Sequence, residues 1–350
     1  MASTLKELSR SLGLSTSTVS RALSGRDFKR ASTRAQVERI LERAAELGYE
    51  PNGLARSLKT QRRRVVGLIL PDILNDYYAA AATLAQTTLA DAGYQVILCV
   101  TSDDAAAEAA QRRLLREERV AGMVVVPSPQ RQPGTVRLNG RSAPPVVELV
   151  RHSADSVDDA VLIDDVDAGR QGTQHLLDLG HRRIAVLTGP TNFSTSRLRL
   201  DGYRRALAAA GVPVDESLIA SGPYRREAAR LATKALLAQD HRATAIIATS
   251  NELVIGALQA LSHRGVRVPD DLSLVGFGNA DWFELLRPAL TTVALPIQEM
   301  AMVAAHMLLQ RIRLAAGADP ASDAPPVVAR YQAHLVVRDS TRPMAVSYKE

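Results

Sequence analysis

Apolar residues at helical spacing divide the first 50 residues into three predicted helices. The first places Leu5, Leu8 and Leu12 on one face and ends at Gly13. The second follows Leu14, and its inward positions are Val19, Ala22 and Leu23. The third follows Thr33 and closes at Gly48, with inward positions Val37, Ile40, Leu41, Ala44 and Leu47. A helix, a tight glycine turn and a second helix form the helix-turn-helix pattern.

After residue 64 the pattern changes to alternating apolar strands and helices. The predicted strands occupy 65–72, 95–104, 121–129, 144–150, 182–190, 243–250 and 271–279. The predicted helices occupy 76–94, 105–120, 196–212 and 251–265. Two sets of such units predict two lobes, each a doubly wound parallel sheet. Ligands of these sheets bind beyond the carboxyl ends of the strands, so we expect a site at the loops after Leu70, Val126, Leu149, Leu187, Ile247 and Phe277.

The positive charge of the chain is confined to its first fifth. Residues 1–64 carry 14 basic and 6 acidic side chains, whereas the rest carries 29 basic and 31 acidic side chains. A basic head on a neutral body is the footprint of a protein that binds a polyanion, most simply nucleic acid. A solubilising tail is the alternative, but the regular apolar spacing of the head argues against it.

The second helix is almost free of bulky residues, as a helix that enters the major groove must be. Thr16, Ser17 and Arg21 face outward near its start, where base contacts are expected, and Thr18 and Ser20 are placed for phosphates. Thr4 and Ser15 are candidate caps of the first and second helices at the same surface. A polar surface helix in a small bundle remains the alternative from these residues alone.

Longer stretches carry a family resemblance over about residues 3–342. "TLKELSRSLGLSTSTVSRALSG", "LGYEPNGLARSLKT", "VVGLILPDILNDYY", "HLLDLGHRRIAVLTGP" and "VPDDLSLVGFGN" together resemble the lactose-repressor (LacI/GalR) family of bacterial transcription factors. The resemblance implies an all-α helix-turn-helix head and an α/β, two-lobed core like that of periplasmic binding proteins. It also implies a cytoplasmic, nucleoid-associated homodimer or tetramer that binds double-stranded operator DNA and a small-molecule effector.

The resemblance implies specific domain boundaries. The DNA-binding domain is expected at 1–50, a hinge helix at 51–61, the core at 62–342 and a tail at 343–350. Within the core, the N-lobe is expected at about 62–160 and 292–323, and the C-lobe at about 161–290 and 325–342. No leucine-heptad tail follows Arg338, which favours a dimer over a tetramer.

By the same resemblance, the hinge helix enters the minor groove and Leu58 wedges between base steps. Its expected DNA contacts are Asn52, Ala55, Arg56, Leu58 and Lys59. Gly53 stands where the family usually has a better helix former, and a glycine costs about 1 kcal/mol in a helix interior. We therefore expect a hinge that is ordered only on operator.

Eleven residues are expected to bind the effector, most of them because they match positions of the family's pocket, Arg151 as a further arginine and Trp282 because it lies just beyond a pocket loop. They are Tyr77, Tyr78, Ser128, Arg151, Thr195, Arg199, Tyr224, Ser250, Asn251, Asn279 and Trp282. For Trp282, a stacking platform and packing at the lobe interface are equally favoured. Ser250 and Asn251 replace a usual Asn-Asp pair, and Gly278 and Asn279 replace a usual Asp-Asp pair.

Loss of carboxylates beside retained arginines favours an anionic effector, because a guanidinium fork matches phosphate and carboxylate oxygens. "VGFGNADWFELLRP" also looks like the fructose-repressor and gluconate-repressor branches, which respond to anionic ligands. A sugar phosphate or sugar acid is therefore favoured. A neutral sugar or polyol, or a regulator with no effector, remains open.

Other classes fit less well. The sequence has no Gly-x-Gly-x-x-Gly after a strand, no Walker pattern and no Gly-x-Ser-x-Gly, and its seven histidines lack metal-ligand spacing. We therefore expect no enzyme, cofactor or metal. Its one cysteine, Cys99, lies in an apolar run and is interpreted as a core thiol. A transport solute-binding protein would need a signal peptide, which the N-terminus does not resemble, and no apolar run predicts a membrane helix.

Overall fold

The computed structural model describes residues 4–23, 31–49, 64–129, 143–153, 156–240, 242–316 and 325–344. The chain divides into two compact units, 1–63 and 64–350. The fold class expected from the sequence is confirmed: a helical head is followed by a core of two mainly parallel sheets.

The head contains α1 (Leu5–Leu12), α2 (Thr16–Leu23) and α3 (Ala31–Glu46). Thr4 and Glu7 form a capping box at α1, and Gly13 ends this helix in the left-handed conformation with φ 65°. The three helices share a small core of Leu8, Val19, Ile40 and Ala44. Two expectations for the third helix were wrong. It begins at Ala31, before Thr33, and Leu41 is 50% exposed because it lies on the outer face of the helix.

The N-lobe is built on a six-stranded parallel sheet. Its strands are β1 (Val65–Leu70), β2 (Gln95–Val100), β3 (Gly122–Val125), β4 (Val146–Val150), β5 (Asp159–Ile163) and β11 (Val328–Tyr331), in the order β11-β5-β4-β3-β1-β2. The helices α4 (Asp76–Asp91), α5 (Ala105–Glu117) and α11 (Ile297–Ala316) belong to this lobe. Cys99 is a buried free thiol on β2, as expected.

The C-lobe sheet has the order β12-β10-β9-β8-β6-β7. Its strands are β6 (Ile184–Thr188), β7 (Ile219–Ser221), β8 (Ala245–Ala248), β9 (Ser273–Phe277), β10 (Thr291–Ala294) and β12 (His334–Val336). Only β12 runs antiparallel to its neighbour among these described strands. The helices are α6 (Asp165–Asp178), α7 (Ser194–Ala209), α8 (Arg226–Leu237), α9 (Asn251–His263) and the short α10 (Trp282–Leu285).

The sheets correct the expected lobe boundaries. The chain first crosses after Ile163 rather than at 160, because β5 pairs in parallel with β4 of the N-lobe. It crosses back after Ala294 rather than at 290, because β10 extends the C-lobe sheet beside β9. The segment 325–342 is divided between the lobes, since β11 pairs with β5 and β12 pairs with β10.

Burial explains why these boundaries were missed. The run "DAVLI" forms β5 and is buried along its whole length, but it is too short to stand out as a strand. The strand β11 is short and mostly exposed, so its sequence carries little apolar signal. Along the described residues, no helix is both long enough and apolar enough to cross a membrane.

Candidate functional site

A cleft of about 570 Å³ lies between the two lobes, at the carboxyl ends of their strands. Loops after β1, β2 and β4 line it from the N-lobe, and the loops or helix starts after β6, β7, β8 and β9 line it from the C-lobe. Eight of the eleven expected residues line this cleft: Tyr77, Tyr78, Arg151, Thr195, Arg199, Tyr224, Ser250 and Asn251. The topology therefore brings together side chains that are up to 174 residues apart in the chain.

Arg151 enters the cleft from a strained turn at the end of β4. Val150 has φ 67°, which is rare for a β-branched residue, and the Arg151 amide donates back to the Leu149 carbonyl at 2.7 Å. The guanidinium donates to the Asp103 carboxylate at 2.5 Å and to the Tyr78 hydroxyl at 3.2 Å. The strain at Val150 thus accompanies an arginine that is fixed in one orientation.

A C-lobe ring covers the same guanidinium. The Arg151 Cζ atom lies 4.2 Å from the centre of the Phe193 ring, a cation–π contact between the lobes. Burial lowers the pKa of Arg151, but Tyr78 and Asp103 outweigh this effect and hold the pKa above its ordinary value. Arg151 is therefore a permanent cation in the wall of the cleft.

Arg199 is the matching cation of the C-lobe. Its Nε donates to Asp165 at 2.7 Å, and its Nη1 donates to the Thr249 carbonyl at 2.7 Å. Arg199 and Asp165 are both buried, at 6% and 3% side-chain exposure. Desolvation lowers the pKa of Arg199, but the Asp165 carboxylate overcomes it, so the pKa lies above the usual range.

Two glycines bring the helices of this pair together. A Cβ atom at Gly169 of α6 would overlap the Arg199 carbonyl, and a Cβ atom at Gly202 of α7 would overlap the Val166 carbonyl. The two helices therefore cross in direct backbone contact. This crossing places the first residue of α6, Asp165, beside Arg199 on α7.

Aromatic side chains form the remaining walls. Tyr77 and Tyr78 meet edge to face at 5.3 Å, and the Asn75 side chain fixes their helix start by accepting from the Tyr77 amide. The Tyr77 hydroxyl is buried without a hydrogen-bond partner among the described residues. Tyr224 shares a 2.7 Å hydrogen bond with the Ser196 hydroxyl. Burial raises the pKa of both Tyr77 and Tyr78, so they are neutral hydroxyls at physiological pH.

The loop after β9 has a glycine, Gly278, and the side chain of Asn251 lies where a side chain at this position would stand. Gly278 has φ 96°, and a Cβ atom there would overlap the amide oxygen of Asn251. Asn251 thus occupies the place that a residue at 278 would fill. The hydroxyl of Ser250 caps α9 by accepting from the Leu253 amide at 3.3 Å, so Ser250 supports the helix start as well as lining the cleft.

Three expected residues do not line the cleft. Ser128 is buried, and its amide donates to Glu108 at 2.6 Å. The side-chain oxygen of Asn279 accepts a hydrogen bond from Arg338 at 2.9 Å. Trp282 packs against Phe283 and donates from Nε1 to Asp76 of the N-lobe at 3.1 Å. The interface alternative for Trp282 therefore describes it better than the stacking platform.

Three important residues of the cleft were not identified from the sequence. Asp103 and Ser102 line the cleft from the loop after β2, and Phe193 covers Arg151. Ser102 and Asp103 both have positive φ, 53° and 64°, and the sequence of a short polar loop does not predict this conformation. Within the described residues, no group of histidine, cysteine, aspartate and glutamate side chains could hold a metal ion.

Comparisons with known proteins agree with this architecture. A profile for a periplasmic binding protein-like domain matches residues 173–341. The chain is 32% identical to the HTH-type transcriptional regulator DegA of Bacillus subtilis, over 86% of this chain and 88% of that protein. It is 29% identical to the ribose operon repressor of Escherichia coli, over 88% of this chain and 93% of that protein.

The chain belongs to the LacI family of transcriptional regulators. Among solved structures, the complex of the regulator CelR with cellobiose has a TM-score of 0.68 and 28% identity, covering 97% of this chain and 99% of that chain. This LacI-family protein is thus a DNA-binding transcriptional regulator with a periplasmic-binding-protein-like core, and not an enzyme.

In the head of this LacI-family protein, the hydroxyl side chains at the start of α2 are more exposed than those further along the helix. Ser15, Thr16 and Ser17 are exposed, whereas Thr18 and Ser20 are partly buried. Ser15 caps the helix by accepting from the Thr18 amide at 3.2 Å, and the hydroxyl of exposed Thr4 is held by the capping box with Glu7. The side chain of Arg21 and all of the expected hinge contacts, Asn52, Ala55, Arg56, Leu58 and Lys59, lie outside the described residues, as does Gly53.

Proposed function

We propose that this LacI-family regulator, acting as a cytoplasmic, nucleoid-associated homodimer, represses a carbohydrate-related operon and is controlled by a sugar derivative with one anionic group. The single observation that carries the proposal is the pair of arginines, one from each lobe, that line one cleft. A ligand held by Arg151 and Arg199 together contacts both lobes. It can therefore bias their relative orientation, to the extent that it binds one orientation more tightly than the other.

The lining of the cleft suits a polyhydroxylated ligand. Tyr77 offers a buried hydroxyl that has no hydrogen-bond partner among the described residues, and Asn251 offers both amide donors and an acceptor. Aromatic rings of Tyr78 and Tyr224 supply apolar faces. Cavities with apolar walls and a few convergent polar groups are typical small-molecule sites.

Three features favour an anionic group on that ligand. Glycine and asparagine stand at 278 and 251, so no carboxylate projects from these two loop positions. Arg199 retains N–H donors beyond those used by Asp165 and Thr249. At the rim, Arg225 is exposed and has no ion-pair partner among the described residues.

A neutral sugar is the second candidate, and a specific observation favours it. Arg151 is paired with Asp103 and Arg199 with Asp165, so neither of these two arginines presents an uncompensated charge. The CelR structure was solved with cellobiose, a neutral disaccharide. The donors of the two arginines would then bind hydroxyl oxygens rather than an anion.

DNA binding in this proposal uses the residues expected from the sequence. Paired α2 helices of a dimer enter two major grooves, with Thr16, Ser17 and Arg21 at base edges and Thr4, Ser15, Thr18 and Ser20 near phosphates. The hinge contacts at Asn52, Ala55, Arg56, Leu58 and Lys59 enter the minor groove between them. Binding should weaken steeply with added salt, because each neutralised phosphate releases counterions.

A thermal-shift panel on the full-length protein tests the effector assignment. One arm contains neutral sugars and polyols, and the other contains sugar phosphates and sugar acids. A ligand at 100 times its dissociation constant adds about 2.7 kcal/mol of stability, which a melting curve resolves easily. We expect stabilisation by anionic compounds, lost in Arg199→Ala, and release of operator DNA by the same compounds. Stabilisation by neutral sugars alone would establish the second candidate instead.

A further inference from the structure

Asp103 is the acidic residue that pairs with Arg151 in the N-lobe wall of the cleft. Its carboxylate lines the cleft and is 29% exposed, whereas its partner Arg151 is only 5% exposed. The corresponding acid of the C-lobe, Asp165, is buried at 3% and lies behind Arg199. Of these two carboxylates, only that of Asp103 can therefore be reached by a ligand in the cleft.

The backbone holds Asp103 in this position from both sides. The preceding residue, Ser102, donates its amide to the Pro71 carbonyl at 2.9 Å, and the following residue, Asp104, caps α5 through the Ala107 amide. Asp103 itself has φ 64°, a conformation that aspartate tolerates better than most residues. The carboxylate is thus presented to Arg151 by a fixed loop rather than by a mobile one.

Counting donors separates the two arginines. A guanidinium has five N–H donors. Arg151 uses three of them, on Asp103, on the Pro127 carbonyl and on Tyr78, and its Nε is buried without a described partner. Within the part of the chain that the structure describes, Arg199 uses two donors, on Asp165 and Thr249, and keeps three. The larger reserve of donors for an anionic group lies on the C-lobe side.

We propose that Asp103 is a specificity-determining residue that orients the effector. It accepts hydrogen bonds from effector hydroxyls and, by neutralising Arg151, directs the anionic group to Arg199. This inference rests on the proposed function, since it assumes that the cleft is the effector site. It goes further by dividing the cleft into an N-lobe side that binds the effector hydroxyls and a C-lobe side that binds its anionic group.

The test compares Asp103→Asn with Glu252→Gln in the full-length protein. Glu252 also lines the cleft and is paired with an arginine, Arg226, so both substitutions remove one negative charge from the same cavity. Calorimetric titration with inorganic phosphate measures the strength of anion binding without any assumption about the sugar. Titration with D-gluconate and D-glucose on the wild-type protein measures the proposed function separately.

We expect Asp103→Asn to bind inorganic phosphate about tenfold more tightly than the wild type, as when a charge-assisted hydrogen bond is gained. Glu252→Gln should stay near the wild-type value. Equal gains in both variants would show a general field effect and overturn the inference, as would no gain in Asp103→Asn. A gain in Asp103→Asn with no sugar derivative bound by the wild type would support the charge control by Asp103 and reject the proposed function.

A second pair of variants keeps the test decisive if Asp103→Asn does not fold. Arg199→Lys and Arg151→Lys each keep a positive charge but lose the guanidinium fork. If the anionic group lies on the C-lobe side, Arg199→Lys weakens phosphate binding several-fold, and by a larger factor than Arg151→Lys does. The reverse order would place the anion at Arg151 and contradict the assignment.

Discussion

At the scale of single residues, the cleft depends on side chains that are held by one another before any ligand arrives. Arg151 and Arg199 are each fixed by a carboxylate and a carbonyl, so their remaining donors have defined directions. Such preorganisation reduces the conformational entropy that these side chains lose when a ligand binds. Gly278 helps to fix Asn251 in a similar way, because glycine has no side chain and leaves room for the Asn251 amide.

Gly278→Ala tests that close approach. The new Cβ atom would overlap the Asn251 amide, and alanine would also adopt φ 96°, so both the cleft and the backbone are disturbed. Gly180→Ala is the matched control, because Gly180 has φ 86° but its Cβ atom would meet Met344 at an ordinary 3.6 Å. In urea unfolding we expect the control to lose about 1–2 kcal/mol from backbone strain, and Gly278→Ala to lose about 1–3 kcal/mol more from overlap. Equal losses would mean that Asn251 moves aside freely.

At the scale of elements, the position of Arg199 is set by the crossing of α6 and α7. The glycines at 169 and 202 allow this contact, and the crossing in turn aligns Asp165 with Arg199. The sequence predicted most of α7, but it did not predict α6 or the contact between the two helices. A glycine inside a helix is ambiguous in a sequence, because only the neighbouring backbone reveals why a side chain is excluded.

Gly202→Ala should separate these helices. Alanine gains about 1 kcal/mol of helix propensity over glycine, but the overlap with the Val166 carbonyl and the Arg170 amide has no flexible side chain to absorb it. We expect a net loss of about 1–3 kcal/mol in the free energy of unfolding, together with weaker effector binding as Arg199 moves. Gly222→Ala is the control, since its Cβ atom would meet only Ala228 at 4.0 Å. A neutral Gly202→Ala variant would show that the crossing is more tolerant than its geometry indicates.

At the scale of the whole molecule, the two-lobed plan could be predicted from the sequence, whereas its division could not. Alternating apolar runs indicate parallel sheets, and strand ends indicate where the cleft lies. The three chain crossings depend on short strands such as β5, β11 and β12, whose partners are far away in sequence. Asp103 and Phe193 were missed for the same reason, since their importance comes from Arg151, which lies 48 and 42 residues away.

Three contacts between described residues join the lobes beside the cleft. Phe193 covers Arg151, the Ser194 hydroxyl accepts from the His152 amide at 3.4 Å, and Trp282 donates to Asp76 at 3.1 Å. The last contact joins α10 of the C-lobe to the start of α4 in the N-lobe. Because a rotation of one lobe would change this distance, the Trp282–Asp76 hydrogen bond should favour the orientation seen here.

Asp76→Ala removes this acceptor and leaves the tryptophan in place. Trp282 is the only tryptophan of the sequence, so the intrinsic fluorescence of the protein reports its surroundings directly. A lost hydrogen bond of about 0.5–1.5 kcal/mol shifts a two-state equilibrium roughly 2- to 12-fold. We expect a shifted emission maximum and an effector affinity lowered within that range, if the effector binds the orientation seen here more tightly.

Two control variants separate the contact from other effects of the substitution. Asp76→Asn keeps an acceptor oxygen and should retain most of the wild-type emission, so it tests whether the hydrogen bond or the charge matters. Asp91→Ala makes the same change at the opposite end of the same helix, where Trp282 is not in contact, and should leave the emission unchanged. If Asp76→Ala has wild-type emission and wild-type effector affinity, the contact does not hold the lobes, and their orientation is set by the remaining contacts, Arg151–Phe193 and His152–Ser194, together with the chain crossings.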